Sequence, residues 1–222
     1  MSAAQDIRVL LVDDQELFRT GVAVIIDAQP GMRVVGHAAE GLEAIERVEE
    51  LEPDVVLMDI RMPGMDGVEA TRQLFAADRA GRRTRPLRVL VLTTFNLDDR
   101  AATAICLGAS GFLLKDTTPV MLCEAIRTVY SGNAVLAPAD LAALLEGQFR
   151  TRTPVPVAYG TLTDKERDVF IAVAKGNSNL EIAGLLFAGE STVKTHVGAI
   201  LRKLGLRDRV QIVVYAHEHG LV

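Results

Sequence analysis

Six polar residues follow directly on short apolar runs. Asp13 and Asp14 come after Arg8–Val12, Asp59 after Asp54–Met58, Thr93 and Thr94 after Arg88–Leu92, and Lys115 after Gly111–Leu114. If the runs are strands of one parallel sheet with the first and third side by side, three carboxylates converge at one sheet edge. Three negative charges held together are costly unless a cation joins them. An all-oxygen, incomplete ligand set suits Mg²⁺, which keeps several waters and helps bind phosphate oxygens. A Lys ammonium at the same rim can neutralise a phosphoryl group as a point charge. Carboxylate nucleophile, Mg²⁺, hydroxyl and Lys together make a phosphoryl-acceptor site. One Asp after one strand is ordinarily a helix cap or a solvated turn. Polar groups at the ends of four different strands are not explained by capping.

The elements that must position them are legible as a period. The runs Arg8–Val12, Arg33–Ala38, Asp54–Met58, Arg88–Leu92 and Gly111–Leu114 are rich in Val and Leu and do not alternate strictly. Such runs read as strands buried on both faces of a sheet. Between them, helices are predicted near 15–28, 41–50, 66–77, 98–107 and 118–130. Five successive βα units predict an α/β fold, a doubly wound five-stranded parallel sheet with right-handed crossovers. Its ligand site lies off the carboxyl ends of the strands, where the six polar residues fall.

Residues 131–158 break this pattern. Gly132-Asn133 signals a turn, 138–147 is rich enough in Ala and Leu for a short helix, and 150–160, with two prolines, reads as an extended linker. From Leu162 onward every signal is helical. Thr163…Glu166 and Ser178…Glu181 are capping boxes, a third helix runs from about Ser191 to Leu204, and Asp208 caps a fourth. Short helices joined by the turn Ala188-Gly189-Glu190 form a helix-turn-helix arrangement. The expected division is 1–130, a linker over 131–158, and a smaller all-α domain over 159–222.

Composition is compatible with this plan. The 222 residues are 49% hydrophobic and 24% charged, in the range of globular proteins with real cores. No apolar stretch approaches the roughly 18–20 residues a membrane span needs, and the N-terminus has no export pattern, so a cytoplasmic protein without a membrane partner is expected. Cys106 and Cys123, without a CxxC partner, read as reduced core thiols. The net charge of −5 is unevenly spread: residues 1–130 carry 14 basic against 20 acidic side chains, and residues 159–222 carry 8 against 7. The last segment is therefore compatible with DNA.

The blocks LLVDDQELFRTG (10–21), VVLMDIRMPGMDG (55–67), VLTTF (91–95) and GASGFLLKD (108–116) resemble, in order and spacing, the receiver domains of two-component signalling. The resemblance implies that Asp59 accepts a phosphoryl group from a sensor histidine kinase. It implies Mg²⁺ bound by the Asp14 and Asp59 side chains and the Arg61 carbonyl, with Asp13 acting through water. Thr93, rather than Thr94, becomes the switch hydroxyl, 22 residues before Lys115, and Phe112 takes the switch aromatic position. Pro63 and Gly64 shape the turn after Asp59.

Residues 162–206, with the tail to 222, resemble the four-helix output domain of the NarL/FixJ (LuxR-type) regulators. That likeness places the third helix in the major groove of double-stranded promoter DNA. Val193, Val197, Ile200, Leu201 and Leu204 should face the core, leaving Thr192, Lys194, Thr195, His196 and Gly198 toward phosphates and base edges. Three departures stand out. Gly189 replaces a Ser or Thr cap, Leu180 replaces a common Lys, and Gly198 sits mid-helix at about 1 kcal/mol relative to Ala. The modest local charge favours a homodimer on paired half-sites. Val210, Val213, Val214 and Tyr215 are candidate dimer contacts, with packing beneath the recognition helix as the alternative.

The expected function is a DNA-binding response regulator in which phosphate on Asp59 draws Thr93 and Phe112 inward and controls dimerisation or release of the helical domain. A regulator of the same fold that ignores phosphorylation is the alternative. A dedicated aspartyl-phosphate hydrolase is disfavoured, since such enzymes usually carry an acid/base Asp two residues after the nucleophile, where Arg61 stands here. The basic stretch Arg79, Arg82, Arg83, Arg85 reads as a solvated loop.

Overall fold

A computed structural model describes residues 6–76, 86–94, 99–133, 135 and 153–222. The chain divides into two compact units, Met1–Ser131 and Gly132–Val222.

In the first unit β1 (Ile7–Val12), β2 (Met32–Ala38), β3 (Val55–Asp59), β4 (Arg88–Thr93) and β5 (Gly111–Leu114) form one parallel sheet in the order β2-β1-β3-β4-β5. Helices α1 (Glu16–Asp27), α2 (Gly41–Leu51), α3 (Gly67–Leu74), α4 (Asp99–Cys106) and α5 (Pro119–Tyr130) connect and follow them. The expected flavodoxin-like, doubly wound α/β architecture is thus present, with the order reversing between β1 and β3. Every residue of β3 and β4 is buried, which explains why these runs lack polar alternation. The edge strand β2 is largely half-buried and carries a register shift opposite Val9/Leu10, as edges commonly do. α3 is shorter than the predicted 66–77: its regular turns end at Leu74.

The second unit holds a 3-10 turn (Val157–Thr161), α6 (Asp164–Ala174), α7 (Asn179–Leu185), α8 (Glu190–Leu204) and α9 (Arg209–Glu218). Both capping boxes form: Thr163 and Glu166 exchange bonds of 2.7 and 3.3 Å, and Ser178 and Glu181 bonds of 2.7 and 3.2 Å. Asp208 accepts the Gln211 N–H at 3.2 Å to start α9. Gly189 begins α8 without a side-chain cap, and Gly205, at φ +67°, ends it in the left-handed conformation that Gly adopts without a Cβ penalty. The reading of 150–160 as extended needs correction at its end. Residues 157–161 coil because the Tyr159 ring packs edge-on against the buried Phe170 at 5.2 Å, and Phe170 meets Tyr215 at 5.9 Å.

Cys123 is buried and Cys106 half-buried, and the two form no disulfide. Burial pushes the Cys123 thiol up, more than Arg127 lowers it, which keeps it protonated and unreactive. Among the described residues no helix is long and apolar enough to cross a membrane. The Arg79–Arg85 stretch and the helix expected in 138–147 lie outside the described residues.

Candidate functional site

The carboxyl ends of β1, β3, β4 and β5 bring the chemistry-bearing residues together. Asp59 is the last residue of β3 and Thr93 of β4, while Asp13-Asp14 and Lys115 directly follow β1 and β5. Asp13 and Asp59 are 2% and 4% exposed, and Asp14 is open to solvent. One oxygen from each carboxylate lies within 4.8 Å of the others. The donors are all hard oxygens, and two are shielded from water while one faces it. That combination fits a divalent cation that retains part of its hydration shell.

Lys115 supplies the fixed positive charge. Its ammonium lies 2.6 Å from Asp13 Oδ2 and 2.8 Å from Asp59 Oδ2, with only 8% of the side chain exposed. The Phe18 ring lies 4.9 Å from the same nitrogen, within cation–π range. The Lys115 N–H donates to the Thr93 carbonyl at 2.8 Å, joining the ends of β4 and β5. Burial raises the Asp59 carboxyl above its ordinary value, against the lowering pull of Lys115. For Lys115, burial is the largest single influence and lowers it, but its bonds to Asp13 and Asp59 together raise it above the usual lysine value. Both carboxylate partners thus favour the ammonium form of Lys115. Asp59 is the less well compensated partner, and a further cation beside it would relieve that.

The surrounding backbone is equally constrained. The Gln15 N–H donates to Asp13 Oδ1 at 2.9 Å, and the Arg19 guanidinium donates to the Asp13 carbonyl. The Arg61 N–H approaches Asp59 Oδ1 at 3.4 Å. Thr93 is buried and Thr94 exposed, so the buried hydroxyl at the end of β4 belongs to Thr93. Phe112, 8% exposed, sits in β5 opposite Val91.

Two positioning residues went unassigned in the sequence. At Gly67, a Cβ would lie 1.9 Å from the Asp59 carbonyl oxygen. Only glycine lets α3 start so close behind Asp59, and the signal was the last Gly of the VVLMDIRMPGMDG block. Arg209 is buried, and its guanidinium donates to Asn179 Oδ1 at 2.7 Å and to the Asn177 carbonyl, tying α9 to the start of α7. Its signal was a lone cation heading the run Val210–Ala216.

On α8, Val193, Val197 and Ile200 are buried, whereas Leu201 and Leu204 are only half-buried. Thr192, Lys194, Thr195 and Gly198 are exposed and His196 is half-exposed, so the five residues share the outward side of the helix. Around Gly198 an added Cβ would meet nothing within 4 Å. The basic end of α8 is partly committed to the fold, since the Lys203 ammonium bonds Glu166 Oε2 at 2.5 Å and the Thr161 carbonyl at 3.2 Å. The Lys203 bond, ahead of the Thr163 backbone bond, draws the Glu166 carboxyl down to about 2. Val210, Val213, Val214 and Tyr215 are all under 10% exposed. They lie on α9, which packs against both α6 and α8.

Comparison with known proteins agrees with both halves of this geometry. Residues 9–127 match the response regulator receiver domain, and residues 160–216 match the bacterial regulatory proteins of the luxR family. The transcriptional regulatory protein LiaR of Bacillus subtilis is 39% identical over 216 residues, covering 97% of this chain and 99% of that protein. The response regulator protein VraR of Staphylococcus aureus is 38% identical over 217 residues, with coverage of 97% and 99%. Among solved structures, the response regulator ChrA of a heme-sensing two-component system is similar over 98% of this chain and 99% of its own, at 33% identity and a TM-score of 0.50. The chain therefore belongs to the DNA-binding response regulators of two-component systems, pairing a receiver domain with a LuxR-type helix-turn-helix domain.

Proposed function

We propose that Asp59 is the phosphoryl acceptor, that a sensor histidine kinase is the donor, and that the phosphate governs DNA binding by the helical domain. The observation that carries this reading is the Lys115 ammonium, seated between Asp13 and Asp59 inside a cluster of three carboxylates. An Asp59 oxygen attacks the phosphorus of the donor phosphoimidazole. The P–N bond breaks, and the imidazole nitrogen keeps the electron pair. Lys115, already cationic, turns from the carboxylate to a phosphoryl oxygen. When bound, Mg²⁺ supplies charge neutralisation for the transferring group. Asp14, Asp59 and the Arg61 carbonyl would hold it, with Asp13 acting through water.

In this reading residues 1–130 act as the receiver, 131–158 as the linker and 159–222 as the effector. Thr93 and Phe112 move toward the phosphate and alter the surface of the β4 and β5 units, which promotes dimerisation or frees the helical domain. Thr192, Lys194, Thr195, His196 and Gly198 then meet promoter DNA, with two copies on paired half-sites. The test is phosphoryl uptake from acetyl phosphate with Mg²⁺, followed by phosphate-affinity electrophoresis. Wild type should shift and Asp59→Asn should not; equal uptake by the variant would remove Asp59 from its role.

A further inference from the structure

Beside the acidic cluster lies an open depression of about 570 Å³, lined by Asp14, Arg61, Pro63, Gly64, Asp66 and Arg100 among others. Asp14 belongs both to this depression and to the carboxylate cluster, so the two are continuous. Asp59 is buried and Asp14 exposed, so Asp14 is the member of the cluster that faces solvent and the depression. Two basic residues, Arg61 and Arg100, are part of its lining. Arg100 sits in the first turn of α4, and its Nη1 lies 3.4 Å from Asp66 Oδ2, while Asp66 Oδ1 caps α3 by accepting the Glu69 N–H at 2.9 Å. The start of α3 thereby aims a cation from α4 at the mouth of the site. With the two side chains 51% and 35% exposed, this pair contributes little to stability. A guanidinium fork matches a carboxylate or phosphate through two parallel hydrogen bonds.

We propose that this depression is the subsite for the anionic leaving group of a small acyl phosphate, with Arg100 as its donor-specificity residue. The inference rests on Asp59 being the acceptor. An Asp59 oxygen forms the new bond to phosphorus, the bond between phosphorus and the acyl oxygen breaks, and the carboxylate departs with the electron pair. No proton moves. Displacement in line with the leaving oxygen sends the new carboxylate outward, where Arg100 receives charge that develops only as the bond breaks.

The test compares two donors on the full chain with Mg²⁺: acetyl phosphate, whose leaving group is a carboxylate, and phosphoramidate, whose leaving group is ammonia. Arg100→Gln should lower the ratio of the acetyl phosphate to phosphoramidate rate constants by about tenfold, the scale of one charge-assisted hydrogen bond. Arg100→Lys, which keeps the charge but not the fork, should recover part of the ratio. An unchanged ratio in Arg100→Gln overturns the inference, whether both rates fall together or neither does. A wild-type chain inert to both donors would overturn the acceptor reading itself and this inference with it, so the two failures are distinguishable.

Discussion

The strand-end charge cluster and the outward side of α8 are built in opposite ways. Asp13, Asp59 and Thr93 are buried and Lys115 half-buried; the four come from four strand ends, and Lys115 pairs with Asp59 across 56 residues of sequence. Thr192, Lys194, Thr195 and Gly198 are exposed, come from one helix, and owe their placement to Val193, Val197 and Ile200 beneath them. The first region is a mutually dependent charge cluster, and removing Lys115 leaves two buried carboxylates uncompensated. The second is a solvated surface whose members, on the proposed reading, would act nearly independently through phosphate contacts. Substitutions should therefore be severe and coupled in the first region, and graded in the second.

The largest expected effect comes from Lys115→Met. Removing the ammonium should slow phosphoryl uptake at Asp59 by about 10²-fold or more, read as single-turnover labelling. A loss under tenfold would mean that the strand-end cluster behaves like a graded surface. Gly67→Ala comes next. Its Cβ would meet the Asp59 backbone oxygen rather than a flexible side chain, so urea melts of the receiver unit should show a loss of about 3 kcal/mol. Lys194→Ala should lower DNA affinity by a moderate factor and reduce the slope of log K against log salt by about 1. A changed sequence preference with an unchanged slope would make Lys194 a base reader instead.

The smallest effect concerns Glu166, whose carboxyl Lys203 holds at about 2 rather than 4.5. The folded value lies below the unfolded one, so this pair stabilises the helical unit above about pH 4.5, and the contribution is lost as pH falls toward 2. Glu166→Gln should flatten that part of the stability-against-pH curve. A variant with the same acid dependence as wild type would exclude the pair as its source.

The same contrast explains what was readable from the sequence. Strand-end polar residues could be placed because β3 and β4, buried on both faces, leave continuous Val/Leu runs whose ends are sharp. The capping boxes at Thr163 and Ser178 are local hydrogen-bond patterns, so three residues of spacing suffice to see them. Val210, Val213, Val214 and Tyr215 were ambiguous because α9 is apolar on most sides, and periodicity cannot separate a covered face from one awaiting a partner. The coil at 157–161 depends on Tyr159 meeting Phe170, and the need for Gly67 on the Asp59 carbonyl; both are contacts in space that no local pattern encodes.

The central claim, that phosphate on Asp59 governs DNA binding, is tested most directly by fluorescence anisotropy at fixed salt. The probe is a duplex from the region preceding the protein's own gene, titrated with the full chain in Mg²⁺, with and without beryllofluoride. Wild type should bind at least about fivefold more tightly with beryllofluoride, the lower end of ordinary allosteric coupling, and Asp59→Asn should show no change. Equal wild-type affinity in both conditions, or the same gain in Asp59→Asn, would contradict it.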